Sequence, residues 1–300
     1  MQSLATVVEA EGPGVGIPAR SERQAMDWSL VLASQGIEAI IDHQPVSGSW
    51  ILWVTGPEHS RALGAIRQYR LENRRWNWRQ DLVWPEVTFH WGVLFWVTIM
   101  AVVFWLNEAT GDALVTAGAM NNLVPATGQW GRLVTAVSLH ADVGHLAVNM
   151  ATGIVLLGLA MGRFGPGVAV FTALAGGVGG NAAGLLIRGQ PYLGLGSSGM
   201  VMAALGLLTA QSVSLLRRPP RPWRPVAACV FGGLLLFVLL GVNPESDVLA
   251  HAAGFAVGLA AGIVLALASP AGPVRAGVDR IFAVLAGIVA AAAWAWALRG

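Results

Sequence analysis

The chain has 300 residues, of which 55% are hydrophobic and only 11% charged, with a net charge of +2 and a mean hydropathy of +0.62. A soluble protein carries roughly 25% charged residues, so this composition excludes a purely water-soluble protein. The single cysteine, Cys229, lies inside an apolar run and excludes a disulfide framework.

The charge deficit is local. Residues 1–85 have ordinary composition, and several later runs reach the ~20 apolar residues that cross a bilayer. The expectation is an all-α polytopic membrane protein behind a small soluble domain. Glu9, Glu11 and several glycines and prolines follow Met1 in place of an apolar core, so no signal peptide is expected.

Within the soluble domain, residues 1–80, a short strand is predicted over 4–10. Ser21 and Gln24 form a capping-box signal, and Ala25, Trp28, Val31 and Leu32 follow at helical spacing. Gly36 ends that helix. Glu38–Asp42 and Trp50–Val54 read as two strands joined by a Pro45–Ser49 turn. Pro57 and Glu58 open a second helix whose inner face holds Ala62, Ile66 and Tyr69. The predicted order is α-β-β-α, a small α+β domain. His43 and His59 read as surface residues.

Arg74, Arg75 and Arg79, interleaved with Trp76, Trp78 and Trp84, mark a membrane boundary. Seven spans are predicted, over residues 88–107, 144–162, 167–187, 198–215, 225–242, 248–268 and 279–298. With the N-terminus inside, the inner loops hold Arg163, then Arg217, Arg218, Arg221 and Arg224, then Arg275 and Arg280. The outer loops hold Arg132 and Arg188 beside Glu108, Asp112, Glu245 and Asp247. This obeys the positive-inside rule. All the basic residues are arginine. The seventh span is Ala-rich and reads as an appendage. Residues 108–143 read as a long loop lying partly in the interface, with Arg132 beside Trp130 as an anchor.

Three polar spots interrupt the apolar helices: His145 with Asn149 in the second, Ser198 at the start of the fourth, and His251 in the sixth. All three helices begin on the outer side, so the spots share one depth. Polar residues in a span are costly and face the bundle interior. Gly254, Gly258 and Gly262 run along the His251 face and Gly199 and Gly206 along helix four, a pattern that lets helices approach closely. A serine needs an adjacent base to act as a nucleophile, and His251 can supply it. The Ser198 N–H, the Asn149 amide and the His145 ring are candidate oxyanion donors. The expected chemistry is acyl transfer.

Blander readings stand beside it. Ser198 fits a helix cap, His145 and Asn149 fit interhelical glue, and His140, His145 and His251 fit a metal site. Asp247 fits either a third triad member or the loop it lies in. Gly194-x-Gly196-x-x-Gly199 matches the dinucleotide fingerprint but joins two membrane helices, not a strand and a helix.

These residues resemble the rhomboid intramembrane serine proteases. The resemblance rests on His140-x4-His145-x3-Asn149, on Gly196-Ser197-Ser198-Gly199, and on Ala250-His251-x2-Gly254-x3-Gly258, in that order and at the starts of three helices. It covers residues 88–268 and implies a six-helix catalytic core with one extra helix at 279–298. It further implies a Ser198–His251 dyad, an oxyanion hole lined by Asn149 and His145, and no metal or cofactor. Partners would be transmembrane-helix substrates in a lipid bilayer, not nucleic acid. They would enter past helix five and be cut near their outer end, with that helix and residues 243–247 as gate and cap. The location implied is a bacterial inner membrane with the N-terminus cytoplasmic. The chain has Gly131 between Trp130 and Arg132 where the family often has adjacent Trp-Arg, and Met202 where many members carry tyrosine. The rival functions are an inactive relative acting as a binding scaffold and a small-solute transporter.

Overall fold

Strand β1 (Val15–Ala19) is followed by helix α1 (Glu22–Ser34), strands β2 (Ile40–Gln44) and β3 (Ser49–Val54), a 3₁₀ turn (Gly56–Glu58) and helix α2 (His59–Glu72). This is the N-terminal part of a computed structural model, which describes residues 14–44, 49–73, 88–188, 192–217, 223–242, 246–268 and 274–299. The expected strand at 4–10, the turn at 45–48, the Arg/Trp run at 74–84, Arg218, Arg221 and residues 243–245 lie outside the described residues. The chain divides into two compact units, Met1–Asp81 and Leu82–Gly300.

In the first unit β3 is the central strand, antiparallel to both β1 and β2. The Ser21 hydroxyl accepts from the Gln24 N–H at 3.3 Å and caps α1 as predicted. The Gln24 side chain reaches back to the Arg20 amide at 2.8 Å, one residue beyond the capping-box partner. Gly36, at φ +72°, follows the helix. Trp28, Leu32, Ala62 and Ile66 pack onto Ile17, Leu52 and Val54. The observed order is β-α-β-β-α, because β1 adds a strand that Gly16 and Pro18 disguise. Proline is tolerated there since β1 is an edge. His43 is exposed and its ring stacks on Trp50 at 4.4 Å.

The second unit is helical. Among the described residues six helices are long and apolar enough to cross a membrane: α7 (Val143–Phe164), α8 (Pro166–Ile187), Ser198–Arg217, α10 (Trp223–Gly241), α11 (Val248–Ala268) and α12 (Ala276–Ala297). The stretch from Ser198 is helix α9 (Ser198–Ala210) continued by a 3₁₀ segment (Gln211–Arg217). A seventh apolar helix, α3 (Val93–Ala109), has 17 residues. It starts five residues later than expected, because residues 88–90 run non-helically and the His90 N–H bonds the Gly158 carbonyl at 3.0 Å.

The connection after α3 is more ordered than a loop. It holds three short helices, α4 (Ala113–Gly118), α5 (Val124–Thr127) and α6 (Arg132–Thr135), a 3₁₀ turn (Ala136–Ser138), and a short strand β4 (Met120–Asn121) paired with β5 (Leu193–Gly194). Arg132 ties it together. Its guanidinium donates to the carbonyls of Ala119 at 2.8 Å and Thr116 at 3.0 Å, and to Gln129 Oε1 at 2.7 Å. Its role here is a knot of backbone carbonyls.

Helix α9 is the most enclosed of the spans, surrounded by α7, α8, α10 and α11. Glycines make that enclosure possible. A Cβ on Gly254 or Gly258 of α11 would strike the carbonyls of Gly199 or Ala203 on α9. Helix α12, read as an added span, makes polar contacts with the bundle near both ends. Asp279 Oδ1 accepts from the Val168 N–H at 2.9 Å at the start of α8, and Trp294 Nε1 donates to Ser138 Oγ at 3.3 Å.

Alanine normally favours a helix over glycine by about 1 kcal/mol. Gly258→Ala should nevertheless destabilise the protein by roughly 1–3 kcal/mol through overpacking. Gly287→Ala on α12, where nothing lies within 4 Å, should be neutral or slightly stabilising. Thermal unfolding in mild detergent separates the two, and an equal response would refute the close α9–α11 seam.

Candidate active site

Ser198 is the first residue of α9, and the turn that delivers it is dictated by glycine. Gly196 has φ +126°, a conformation that side chains resist. A Cβ there would also lie 2.8 Å from His145 Cε1, 2.9 Å from His145 Nε2 and 3.9 Å from Ser198 Oγ. The His145 ring and the Ser198 hydroxyl therefore flank the same small space. The Gly196 N–H donates to the Ala136 carbonyl at 3.0 Å, which ties the turn to the 3₁₀ segment after α6. Ser198 and His145 are half-buried.

His251 stands in the first turn of α11 and is 5% exposed. Its Nδ1 lies 2.7 Å from the carbonyl oxygen of Gly241, the last residue of α10. A carbonyl only accepts, so Nδ1 carries a hydrogen, and in the neutral ring Nε2 keeps the lone pair. Among the described residues no hydrogen bond joins Ser198 to His251. Their helices nonetheless touch where Gly199 meets Gly254, one residue beyond Ser198 and three beyond His251. Catalytic hydrogen bonds are often long before substrate binds. Met202 is buried, and its sulfur packs against Gly241 beside the acceptor of His251.

Asn149 is buried one turn along α7 from His145, whose carbonyl accepts from the Asn149 amide at 3.1 Å. That bond uses one amide hydrogen and leaves the second. The Asp142 side chain caps α7 by accepting from the His145 N–H at 2.8 Å.

Asp247 turns to other partners than the His251 ring. Its carboxylate meets Arg188 at 2.5 Å and Tyr192 at 3.3 Å, and accepts from the Ala250 N–H at 3.0 Å at the start of α11. Burial, reinforced by Asp247, pushes the Tyr192 phenol up to about 12. The carboxylate is thus a joint between the α8–α9 and α10–α11 connections, and the His251 ring bonds the Gly241 carbonyl instead. The described residues hold no group of three or more His, Cys, Asp or Glu placed to share a metal ion.

His140 was legible only as the first histidine of a motif. Its ring is 2% exposed, its Nε2 lies 3.0 Å from Ser197 Oγ, and its edge meets the His145 ring at 5.2 Å between centroids. Burial first, and then the neighbouring His145, lowers its pKa to about 4. Gly241 carried no signal at all, because it acts through its main chain.

The Rhomboid domain profile matches residues 127–268. The rhomboid protease GluP of Bacillus subtilis (strain 168) is 32% identical over 124 residues, which is 39% of this chain and 24% of that protein. The match therefore spans about a quarter of the relative's length.

His140 should stay neutral from pH 8 down to about pH 5 and charge only near pH 4. In the unfolded chain it charges near 6.5. The unfolded state then takes up a proton that the folded state refuses, so stability falls as the pH drops from 6.5 towards 4. Imidazole NMR of the labelled protein checks this, and a His140 titration midpoint near 6.5 would contradict it.

Proposed function

The chain carries a rhomboid-family domain across residues 127–268, and from that premise we propose that it is an intramembrane serine endopeptidase. Ser198 is the nucleophile and His251 the base. The observation that carries the proposal is the bond from His251 Nδ1 to the Gly241 carbonyl. It leaves Nε2 as the basic nitrogen, the tautomer a serine–histidine pair needs.

In the proposed reaction Ser198 Oγ adds to a peptide carbonyl as His251 Nε2 takes its proton. The tetrahedral oxyanion is met by the Ser198 N–H, free at the start of α9, the second Asn149 amide hydrogen and the His145 ring. Collapse breaks the C–N bond, and His251 returns the proton to the leaving amine. Water then repeats the sequence in reverse roles, releasing the acid and restoring Ser198.

Substrates are transmembrane helices. A helix hides its carbonyls in its own hydrogen bonds, so it must unwind at the cleaved bond, where small residues and weak helicity help. Entry past α10 fits the exposed apolar surface of that helix, including Phe231, Leu235 and Leu239. Residues 1–80 form a cytoplasmic domain, 88–268 the catalytic core and 279–298 an additional span. The positive-inside pattern of the arginines supports an inside N-terminus and a site near the outer face, and the membrane proposed is a bacterial inner membrane.

A scaffold that binds membrane helices without cutting them has one observation in its favour, the missing Ser198–His251 hydrogen bond. A fluorophosphonate separates the readings. Labelling at Ser198 that vanishes in His251→Ala supports the protease; no adduct on the folded protein overturns it. Ser198→Ala and His251→Ala should each abolish cleavage of a transmembrane substrate. Asn149→Ala should slow it by up to ~10²–10³-fold, the cost of one oxyanion donor.

A further inference from the structure

A second serine–histidine pair lies directly behind the first. Ser197 Oγ is 3.0 Å from His140 Nε2, and the Ser197 backbone N–H points to the same nitrogen at 3.4 Å. Ser197 is 0% exposed and His140 is 2% exposed, so no substrate carbonyl reaches this hydroxyl and it is no alternative nucleophile. A backbone N–H only donates, so His140 Nε2 is the acceptor and the Ser197 hydroxyl donates to it as well. One ring nitrogen therefore holds the residue before Ser198 by both its main chain and its side chain.

Two further contacts extend the grip. The preceding residue, Gly196, donates its N–H to the Ala136 carbonyl at 3.0 Å. The segment 136–140 thus binds two successive residues of the nucleophile turn. The His140 ring also stands edge-on to His145 at 69° between planes, and the His145 ring lies against Gly196. His140 touches the support of both donors assigned above: the Ser197–Ser198 peptide, which carries the Ser198 N–H, and the His145 ring.

We infer that His140 is a positioning residue that acts through Ser197 and His145 to aim the oxyanion donors of the Ser198 site. Fixing Ser197 at two points fixes the plane of the next peptide and so the direction of the Ser198 N–H. A donor misaimed by a fraction of an ångström loses most of its value to a transition state, while ground-state binding barely changes. The inference rests on the serine protease reading of Ser198.

The test uses the full chain in mild detergent and a fluorophosphonate, whose P=O occupies the oxyanion position in the adduct. The rate at saturating probe and the half-saturation concentration are measured separately, together with the thermal midpoint. Ser197→Ala removes one buried oxygen and little volume. It should lower the saturating rate about 5- to 10-fold, the value of one hydrogen bond, with half-saturation and midpoint unchanged. His140→Ala should lower the rate at least as far, and the double variant should be no slower than His140→Ala alone. His140→Gln, which retains an acceptor, should recover part of the loss. A wild-type rate in Ser197→Ala overturns the inference. So does a rate loss that only tracks a falling midpoint, or strict additivity of the two substitutions. Ser197→Ala keeps the test decisive where His140→Ala fails to fold. If the unsubstituted protein takes no label at Ser198, the protease reading falls and the positioning role falls with it. Label on the unsubstituted protein with no effect of Ser197→Ala removes the positioning role alone.

Discussion

Gly254 of α11 rests on the carbonyl of Gly199 in α9, and nothing larger than hydrogen fits between the helices at that point. In a bilayer the surroundings are as apolar as the side chains, so helices associate through close packing and hydrogen bonds rather than through burial of apolar surface. The contact lies one residue past Ser198 and three past His251. Widening it by one methyl group would push the candidate nucleophile away from its base. The spacing of Ser198 and His251 at this end of the bundle therefore depends on a contact that only glycine permits, and Gly258 repeats the constraint one turn further along.

Much of this was readable from residues. Ser198, His145, Asn149 and His251 stood out because a polar group in an apolar helix demands a partner, and helical spacing put the glycines on the same faces. The helices themselves followed from run length. What stayed hidden works through the main chain or through a short, irregular segment. Gly241 contributes only a carbonyl oxygen, which no residue type announces. Strand β1 was masked by Gly16 and Pro18, whose propensities oppose a strand everywhere except at an edge. The connection between α3 and α7 was read as an interfacial loop. Its order comes from one arginine binding backbone carbonyls 13 and 16 residues before it, a pattern without periodicity.

The same segment explains why α12 is more than an addition. Trp294 donates to Ser138, and Ser138 lies between Ala136, which holds Gly196, and His140, which holds Ser197. Gly131 sits beside the backbone of Ala293 in α12, where an added Cβ would come to ordinary contact at 3.4 Å. At the other end of α12, Asp279 satisfies a main-chain donor at the start of α8. The last helix is thus pinned at both ends by polar contacts, although most of its surface is apolar and open.

The imidazole of His251 belongs to α11, but the group that orients it belongs to α10. A triad acid would normally be carried on a well-packed element; here the acceptor is the final carbonyl of a helix that is among the least enclosed of the spans. Helix α10 is held against α9 where Gly233 receives the side chain of Thr209, and at its end by Met202 packed on Gly241. At that end of the helix the Gly241 oxygen lies 2.7 Å from Nδ1. Without that acceptor the hydrogen is free to move to Nε2, and Nε2 then no longer offers a lone pair. Packing between α9 and α10 therefore bears on the proposed acid–base pair, even though neither Thr209 nor Met202 carries a titratable group.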